Sequence, residues 1–193
     1  VFLHGRGESA GDGLSERSLM GDLVTKAIPL LASEGGLPSV NGRPFPFLVA
    51  CPQVEKFWKP HLDDVIGLVD DLIANRGAAS SQCYVTGISM GAFASWSIAA
   101  RAPDRFAAHV PVSGGVPSEA VQAGEVPAWV FAGDADRYYP IADVRDGLGA
   151  LSGRRSELTL TVVPNAGHED SFWNQVYARS YLYEWLLSHR TAA

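Results

Sequence analysis

The sequence predicts an α/β fold, built on one mainly parallel β-sheet with helices on both of its faces. Short, continuous apolar runs recur along the chain, which is typical of strands buried inside a parallel sheet. Segments with apolar residues at helical spacing lie between these runs, and such alternation favours a layered α/β architecture. Because one hydrophobic core suffices for 193 residues, residues 1–193 are predicted to form a single domain.

The predicted strands follow one another from the first residues of the chain. The run Val1-Phe2-Leu3 is the first of them, because it is apolar and leads into a glycine-containing loop. Five further runs have the same character. They are Phe47 to Cys51, Tyr84 to Ile88, Phe106 to Val112, Trp129 to Ala132 and Leu158 to Val163.

Three helices are predicted from apolar residues at helical spacing. The first carries Leu62, Val65, Ile66, Val69, Leu72 and Ile73. The second covers Ala92 to Arg101. The third closes the chain with a stripe formed by Trp173, Val176, Tyr177, Tyr181 and Trp185. Ligands of such sheets bind beyond the carboxyl ends of the strands, so the residues that follow each strand are the candidates for chemistry.

Charge and hydropathy exclude several classes of partner. The formal net charge is -6 and no segment is rich in Lys or Arg, so neither nucleic acid nor an anionic membrane is a predicted partner. No apolar run approaches the roughly 18 residues that a membrane-spanning helix needs. The N-terminus lacks the zones of a signal peptide, yet Val1 begins inside a predicted strand. We therefore expect a soluble protein whose upstream segment was removed or omitted, and secretion stays open.

The two cysteines, Cys51 and Cys83, are predicted to be free thiols. Two residues do not make a disulfide framework, and the Cys/His spacing of a zinc site is missing. Free cysteines are usually buried and pack as small apolar residues. Neither a metal site nor a cofactor is predicted.

The candidate nucleophile, Ser89, lies between the third predicted strand and the helix after it. The strand leads into Gly87-Ile88-Ser89-Met90-Gly91, a G-x-S-x-G pattern at a strand-to-helix junction. This setting exposes a serine hydroxyl on a strained turn, and the two glycines remove Cβ atoms that would collide there. A helix N-terminus also favours negative charge beside the serine. The alternative is a Gly-Ser turn that only caps the helix.

Candidate partners for this serine follow two later strands. A serine nucleophile needs a base, and the base needs a carboxylate that fixes its tautomer. His168 is the candidate base, because among five histidines it alone lies in a glycine-preceded loop after a late strand. Asp134 and Asp136 both follow the strand at Trp129 to Ala132. Asp134 can bond its own turn, whereas Asp136 is one step further out and is favoured as the acid.

The first strand leads into a glycine-rich loop with the sequence HGRGE at residues 4–8. An acyl-transfer site needs N–H donors for the oxyanion, one in such a loop and one directly after the nucleophile. The backbone amides of Arg6 and Met90 are the candidates. A phosphate-binding loop is disfavoured, because its Gly-Lys-Ser/Thr ending is missing.

Aromatic residues crowd the segments expected at the mouth of the site. Trp58, Tyr138 and Trp173 are the candidate substrate-binding residues among them. Such side chains are as often part of a core, and this alternative stays open for each. Rings that line the cleft would suit an aromatic acyl group or the face of a sugar.

Motifs spread over nearly the whole chain resemble one family. They are His4-Gly5-x-Gly7-Glu8, Cys51-Pro52-Gln53 followed by Trp58, Thr86-Gly87-Ile88-Ser89-Met90-Gly91, Gly133-x-x-Asp136-x-x-x-Pro140 and Gly167-His168. Together they resemble the carboxylesterase/phospholipase branch of the α/β-hydrolases, akin to dienelactone hydrolases, acyl-protein thioesterases, and feruloyl and polyhydroxybutyrate esterases. The resemblance implies one α/β-hydrolase catalytic domain over 1–193, with Asp136 rather than Asp134 at the position of the acid.

Members of this family usually carry one or two strands before the His-Gly loop, and these do not precede Val1 in the sequence. The chain is therefore expected to lack the first one or two strands of the fold. In that case the predicted strand at Phe47 to Cys51 becomes an unprotected edge.

The chemistry and the resemblance together predict a serine carboxylesterase that hydrolyses short-chain acyl esters without a cofactor. The expected substrate is a small-molecule or polysaccharide-linked ester. The aromatic residues suggest feruloyl or acetyl-xylan esterase activity as an alternative. A serine peptidase would use the same residues. A non-catalytic binding module is the alternative of a different class, although such a relative would be expected to have lost Ser89, His168 or the acid.

Overall fold

Five parallel strands form the sheet at the centre of the molecule. The computed structural model describes residues 1–10, 24–123, 126–151, 153 and 157–191. The strands are β1 (Phe2–Leu3), β2 (Tyr84–Ile88), β3 (Ala108–Val112), β4 (Ala128–Gly133) and β5 (Leu158–Val163). Their order across the sheet is their order along the chain, and every neighbouring pair is parallel. All five carboxyl ends therefore lie at one edge.

Helices cover both faces of this sheet. They are α1 (Ala27–Ser33), α2 (Leu62–Arg76), α3 (Met90–Arg101), α4 (Ile141–Gly149), α5 (Asp170–Tyr177) and α6 (Ser180–Ser188). Successive residues of a strand point to opposite faces. Tyr84 and Ile88 accordingly pack with side chains of α1, α5 and α6, whereas Val85 packs with those of α2 and α3. The prediction of a parallel sheet covered on both faces is confirmed.

The prediction of a strand at Phe47 to Cys51 is wrong. This segment runs beside β1 without forming a regular strand, and the hydrogen bond that joins them runs from the Phe2 N–H to the Ala50 carbonyl at 2.9 Å. Because β1 has only two residues, it offers little backbone for a ladder. The apolar character of the segment serves packing instead, since Phe47 contacts the rings of Tyr84 and Tyr183.

The predicted closing helix is two helices, because the chain is extended at Arg179 between α5 and α6. This break changes the phase of the buried face. The stripe predicted through Tyr181 does not continue, since Tyr181 is 44% exposed while its neighbours Leu182 and Tyr183 are buried. Two further helices, α1 and α4, were not predicted, and they are only seven and nine residues long.

Cys51 and Cys83 are free, as predicted. Among the described residues, no helix is long and apolar enough to cross a membrane. Within the same part of the chain, no group of three or more His, Cys, Asp or Glu residues is arranged to hold a metal ion.

Candidate active site

Ser89 stands on a sharp turn between β2 and α3, at the carboxyl edge of the sheet. Its backbone has a φ of 51° and a ψ of -113°, a strained conformation for a residue with a side chain. A Cβ atom at Gly91 would overlap the carbonyl oxygen of Leu3, and one at Gly87 would overlap Gly91. Glycine at both positions therefore lets β1, β2 and α3 approach closely enough to form the turn.

A chain of hydrogen bonds joins Ser89, His168 and Asp136. The Nε2 of His168 lies 2.9 Å from the Ser89 Oγ, and its Nδ1 lies 2.9 Å from the Asp136 Oδ2. An ionised carboxylate only accepts hydrogen bonds, so this contact favours the tautomer with a proton on Nδ1. The Nε2 is then free to accept the serine proton. The structure thus brings together the three residues that the sequence analysis selected.

Asp136 is held in place by its own turn. Its side chain is almost fully buried, and its second oxygen accepts hydrogen bonds from the N–H groups of Tyr138 at 2.9 Å and Tyr139 at 3.0 Å. These bonds satisfy a buried carboxylate that would otherwise be costly. They also fix the oxygen that faces His168. The other candidate acid, Asp134, is exposed and bonds the backbone N–H of Asn165 instead.

The candidate oxyanion donors lie on both sides of Ser89. Arg6 and Met90 are the first residues of a short 3-10 turn and of α3, so their N–H groups have no partner inside those helices. The loop of Arg6 lies against the serine, since a Cβ at Gly5 would be 3.5 Å from the Ser89 Cβ. The arrangement can therefore offer two backbone donors to an oxygen bound between the loop and the helix.

Only one of the three aromatic residues predicted to bind substrate is exposed. Tyr138 is 76% exposed, and its ring lies 4.9 Å from that of His168. Trp58 is buried, packs on His4 and donates from its Nε1 to the His4 carbonyl at 3.0 Å, so it is a core residue. Trp173 is also buried, with its ring 5.2 Å from His168 and nearly perpendicular to it. It supports the imidazole and offers no open face.

Two residues near the reacting groups were not among the predicted site residues. Tyr139 is half-buried, its hydroxyl interacts with the Ser89 side chain, and burial raises the pKa of this hydroxyl. Lys26 forms ion pairs with Glu8 at 2.8 Å and with Asp170 at 3.0 Å. For Tyr139, the available signal in the sequence was its position three residues after Asp136. The contacts of Lys26 join distant segments, and no local pattern predicts them.

Comparisons with known proteins agree with this architecture. The model of the prolyl oligopeptidase family matches residues 55–120. A poly(3-hydroxyalkanoate) depolymerase C of Paucimonas lemoignei is 46% identical over 48 residues, which is 25% of this chain and 12% of that protein. The crystal structure of a thermostable esterase superposes with a TM-score of 0.71 and 22% identity, over 98% of this chain and 53% of the other.

A second solved structure matches over almost the full length of both chains. SOBER1 of Arabidopsis thaliana superposes with a TM-score of 0.65 and 17% identity, over 97% of this chain and 96% of its own. The present chain spans 12% of the depolymerase and about half of the thermostable esterase. At these identities the structural likeness establishes the fold.

Proposed function

We propose that this chain, which has the α/β-hydrolase fold, is a serine carboxylesterase. The observation that carries the proposal is the hydrogen-bonded chain from Ser89 through His168 to Asp136, with 2.9 Å at both contacts of the imidazole. Nucleophilic acyl transfer needs a hydroxyl, a base and a carboxylate in this order. The strained turn at Ser89 and the backbone donors beside it support the same chemistry.

In the proposed acylation step, the Ser89 Oγ attacks the ester carbonyl carbon while its proton passes to the His168 Nε2. The new Oγ–C bond forms as the electron pair of the carbonyl double bond moves to oxygen. The N–H groups of Arg6 and Met90 stabilise this oxyanion. The alcohol then leaves with the proton from Nε2, and the acyl group stays on Ser89.

Deacylation repeats these steps with water as the nucleophile. Water loses a proton to the His168 Nε2 and attacks the acyl carbon, and the resulting intermediate expels the Ser89 Oγ. The Oγ takes the proton back, which regenerates the enzyme. Asp136 stabilises the imidazolium in both halves of the reaction and keeps the ring in the orientation that serves Ser89.

The surroundings of Ser89 support a substrate with a flat or cyclic group. Exposed rings lie on both sides of the site, with Tyr138 beside His168 and Phe57 beneath the guanidinium of Arg6 at 5.8 Å. A cleft of about 500 Å³ is lined by Phe57 and by Met90, the neighbour of Ser89. The proposed substrates are therefore small or polysaccharide-linked esters with short or aromatic acyl groups, including feruloyl and acetyl-xylan esters.

A serine peptidase is the second candidate, because the matching family model is that of the prolyl oligopeptidases. Ester and amide hydrolysis use the same groups, so the two candidates differ in the leaving group. Amide substrates such as aminoacyl nitroanilides separate them. Hydrolysis of these amides at rates comparable with those of nitrophenyl esters would favour the peptidase.

The proposed function is tested with a panel of nitrophenyl, feruloyl and acetylated-xylan esters, on wild type and Ser89→Ala. We expect activity in wild type, loss of it in Ser89→Ala, and faster turnover of nitrophenyl acetate than of nitrophenyl palmitate. Labelling with a fluorophosphonate is the companion measurement. Folded protein whose Ser89 does not react with the phosphonate would favour a non-catalytic binding module. Faster turnover of palmitate would contradict the preference for short acyl chains.

A further inference from the structure

The loop that carries Arg6 also holds a buried carboxylate. Glu8 is 3% exposed, and its Oε1 lies 2.8 Å from the Nζ of Lys26. Among the described residues, its Oε2 has no hydrogen-bond partner although it is buried. A buried carboxylate is costly unless a nearby cation compensates its charge. Lys26 supplies that compensation.

The unpartnered oxygen of Glu8 faces the part of the loop that touches the nucleophile. A Cβ added to Gly5 would lie 2.9 Å from the Glu8 Oε2 and 3.5 Å from the Ser89 Cβ. The carboxylate and the serine therefore approach the same glycine, directly before the candidate donor Arg6. Negative charge develops on the substrate oxygen during attack, and a second negative charge this close opposes it.

Lys26 also contacts the side of the site that carries His168. Its Nζ lies 3.0 Å from the Oδ1 of Asp170, in the first turn of α5, and 5.3 Å from the centre of the Trp173 ring. The Trp173 ring in turn packs against His168. One cation thus lies between the glycine-rich loop and the helix that follows the base.

We propose that Lys26 is a positioning residue whose positive charge compensates Glu8 beside the glycine-rich loop, so that negative charge can develop on the bound substrate. The inference rests on the proposed function in that it takes Ser89 as the nucleophile. Burial lowers the pKa of Lys26, but the hydrogen bonds to Glu8 and Asp170 outweigh burial and raise it above its ordinary value. The ammonium group therefore stays charged at neutral pH.

The test is the rate at which a fluorophosphonate labels Ser89 in wild type, Lys26→Met, Glu8→Gln and the double variant, at pH 8. The reaction joins the Ser89 Oγ to phosphorus and expels fluoride, so no natural ester has to be known. Lys26→Met leaves Glu8 uncompensated and is expected to slow labelling about tenfold or more, as one unbalanced charge in a partly buried site does. Adding Glu8→Gln to Lys26→Met is expected to restore most of the loss.

A purely structural role predicts another pattern. If Lys26 only fastened the loop, Glu8→Gln would slow labelling as much as Lys26→Met, and the double variant would be no faster than Lys26→Met. Either result overturns the proposal, as does equal labelling of wild type and Lys26→Met. Arg190→Met removes an exposed cation near Tyr84, at the amino end of β2 and so away from the site, and is the matched control, expected to label like wild type.

Two further outcomes separate this inference from the proposed function and from misfolding. Wild type that is not labelled at Ser89 overturns the proposed function and this inference together. If circular dichroism shows Lys26→Met to be unfolded, the double variant is compared with Glu8→Gln. The two should then label at similar rates, because neither retains a carboxylate at position 8. A double variant that labels about tenfold more slowly overturns the inference.

Discussion

The carboxylate of Asp134 accepts a hydrogen bond from the backbone N–H of Asn165 at 2.7 Å. This bond joins the loop after β4 to the loop after β5, and these two loops carry Asp136 and His168. The contact is close, since a Cβ at Gly133 would overlap the backbone of Ala166. Asp134 therefore holds two loops together, whereas Asp136 holds the imidazole itself.

Asparagine at these two positions should have different consequences. Asp136→Asn removes the charge that stabilises the imidazolium and disturbs the tautomer, so kcat for nitrophenyl acetate is expected to fall about 10³–10⁴-fold. Asp134→Asn keeps an oxygen that can accept from Asn165, and activity should stay within about threefold of wild type. Both variants are measured alongside thermal unfolding. The reverse order of losses would assign the acid to Asp134.

Phenylalanine at Tyr139 tests the hydroxyl next to the nucleophile. Tyr139→Phe keeps the ring that packs 5.4 Å from Phe93 and 5.5 Å from His168 but removes the group that interacts with Ser89. A hydrogen bond to the reacting oxygen gains strength as charge develops, so kcat is expected to fall about tenfold while KM changes little. Tyr138→Phe is the matched control and should lose little. Equal kinetics in the two variants would remove Tyr139 from the reaction.

The glycine at position 91 is required by the backbone around it. A methyl group in Gly91→Ala would overlap the Leu3 carbonyl, which belongs to a buried strand and cannot move aside. The free energy of unfolding is expected to fall by about 3 kcal/mol or more. Gly67→Ala is the control, since this glycine lies exposed inside α2 with nothing within 4 Å of the new Cβ. It should gain about 0.5–1 kcal/mol in urea unfolding.

Ionisation of the Cys51 thiol should make the free energy of unfolding fall at alkaline pH. Burial raises its pKa from 9.0 to about 11 in the folded protein. Between these values the unfolded chain has lost the proton while the folded chain keeps it, so the free energy of unfolding falls as pH rises. The fall is at most about 1.4 kcal/mol per pH unit, or about 2–3 kcal/mol in total. Cys51→Ala should lack this component in urea unfolding.

Measurements of the Cys51 variant at pH 7 to 8 isolate the packing effect of the substitution, because the thiol is protonated there in both states. Other groups that titrate above pH 9 act in both proteins and cancel in the comparison. Parallel pH profiles of wild type and Cys51→Ala would show that this thiol does not contribute.

The site residues that a short sequence pattern or a position after a strand identifies could be predicted from the sequence. Ser89 lies in a G-x-S-x-G pattern at a strand-to-helix junction, and both the pattern and its setting can be recognised without the rest of the fold. His168 and Asp136 follow strands, so their meeting at one sheet edge follows from parallel topology. The confirmed sheet rests on the same logic, since runs such as Ala128–Gly133 are apolar throughout.

The features that depend on contacts between distant segments could not be predicted. Trp58 and Trp173 belong to a residue type that often lines clefts, but contacts with distant segments bury both. Trp58 packs on His4, and Trp173 packs with α1 and the ring of His168. Lys26 has no motif around it, and only the folded chain brings it to Glu8 and Asp170. The break between the helices at Arg179 is not marked by a helix-breaking residue, since neither proline nor glycine occurs there.

The hydrogen bond between Ser89 and His168 spans 79 residues of sequence, and the one between His168 and Asp136 spans 32. Contacts of such separation form late, because the chain must first give up the entropy of closing large loops. Reactivity of the serine is therefore expected to appear only when β2, β4 and β5 have paired, after most helical signal has returned during refolding. The rate at which a covalent probe begins to label this hydroxyl during refolding would then report the last stage of folding.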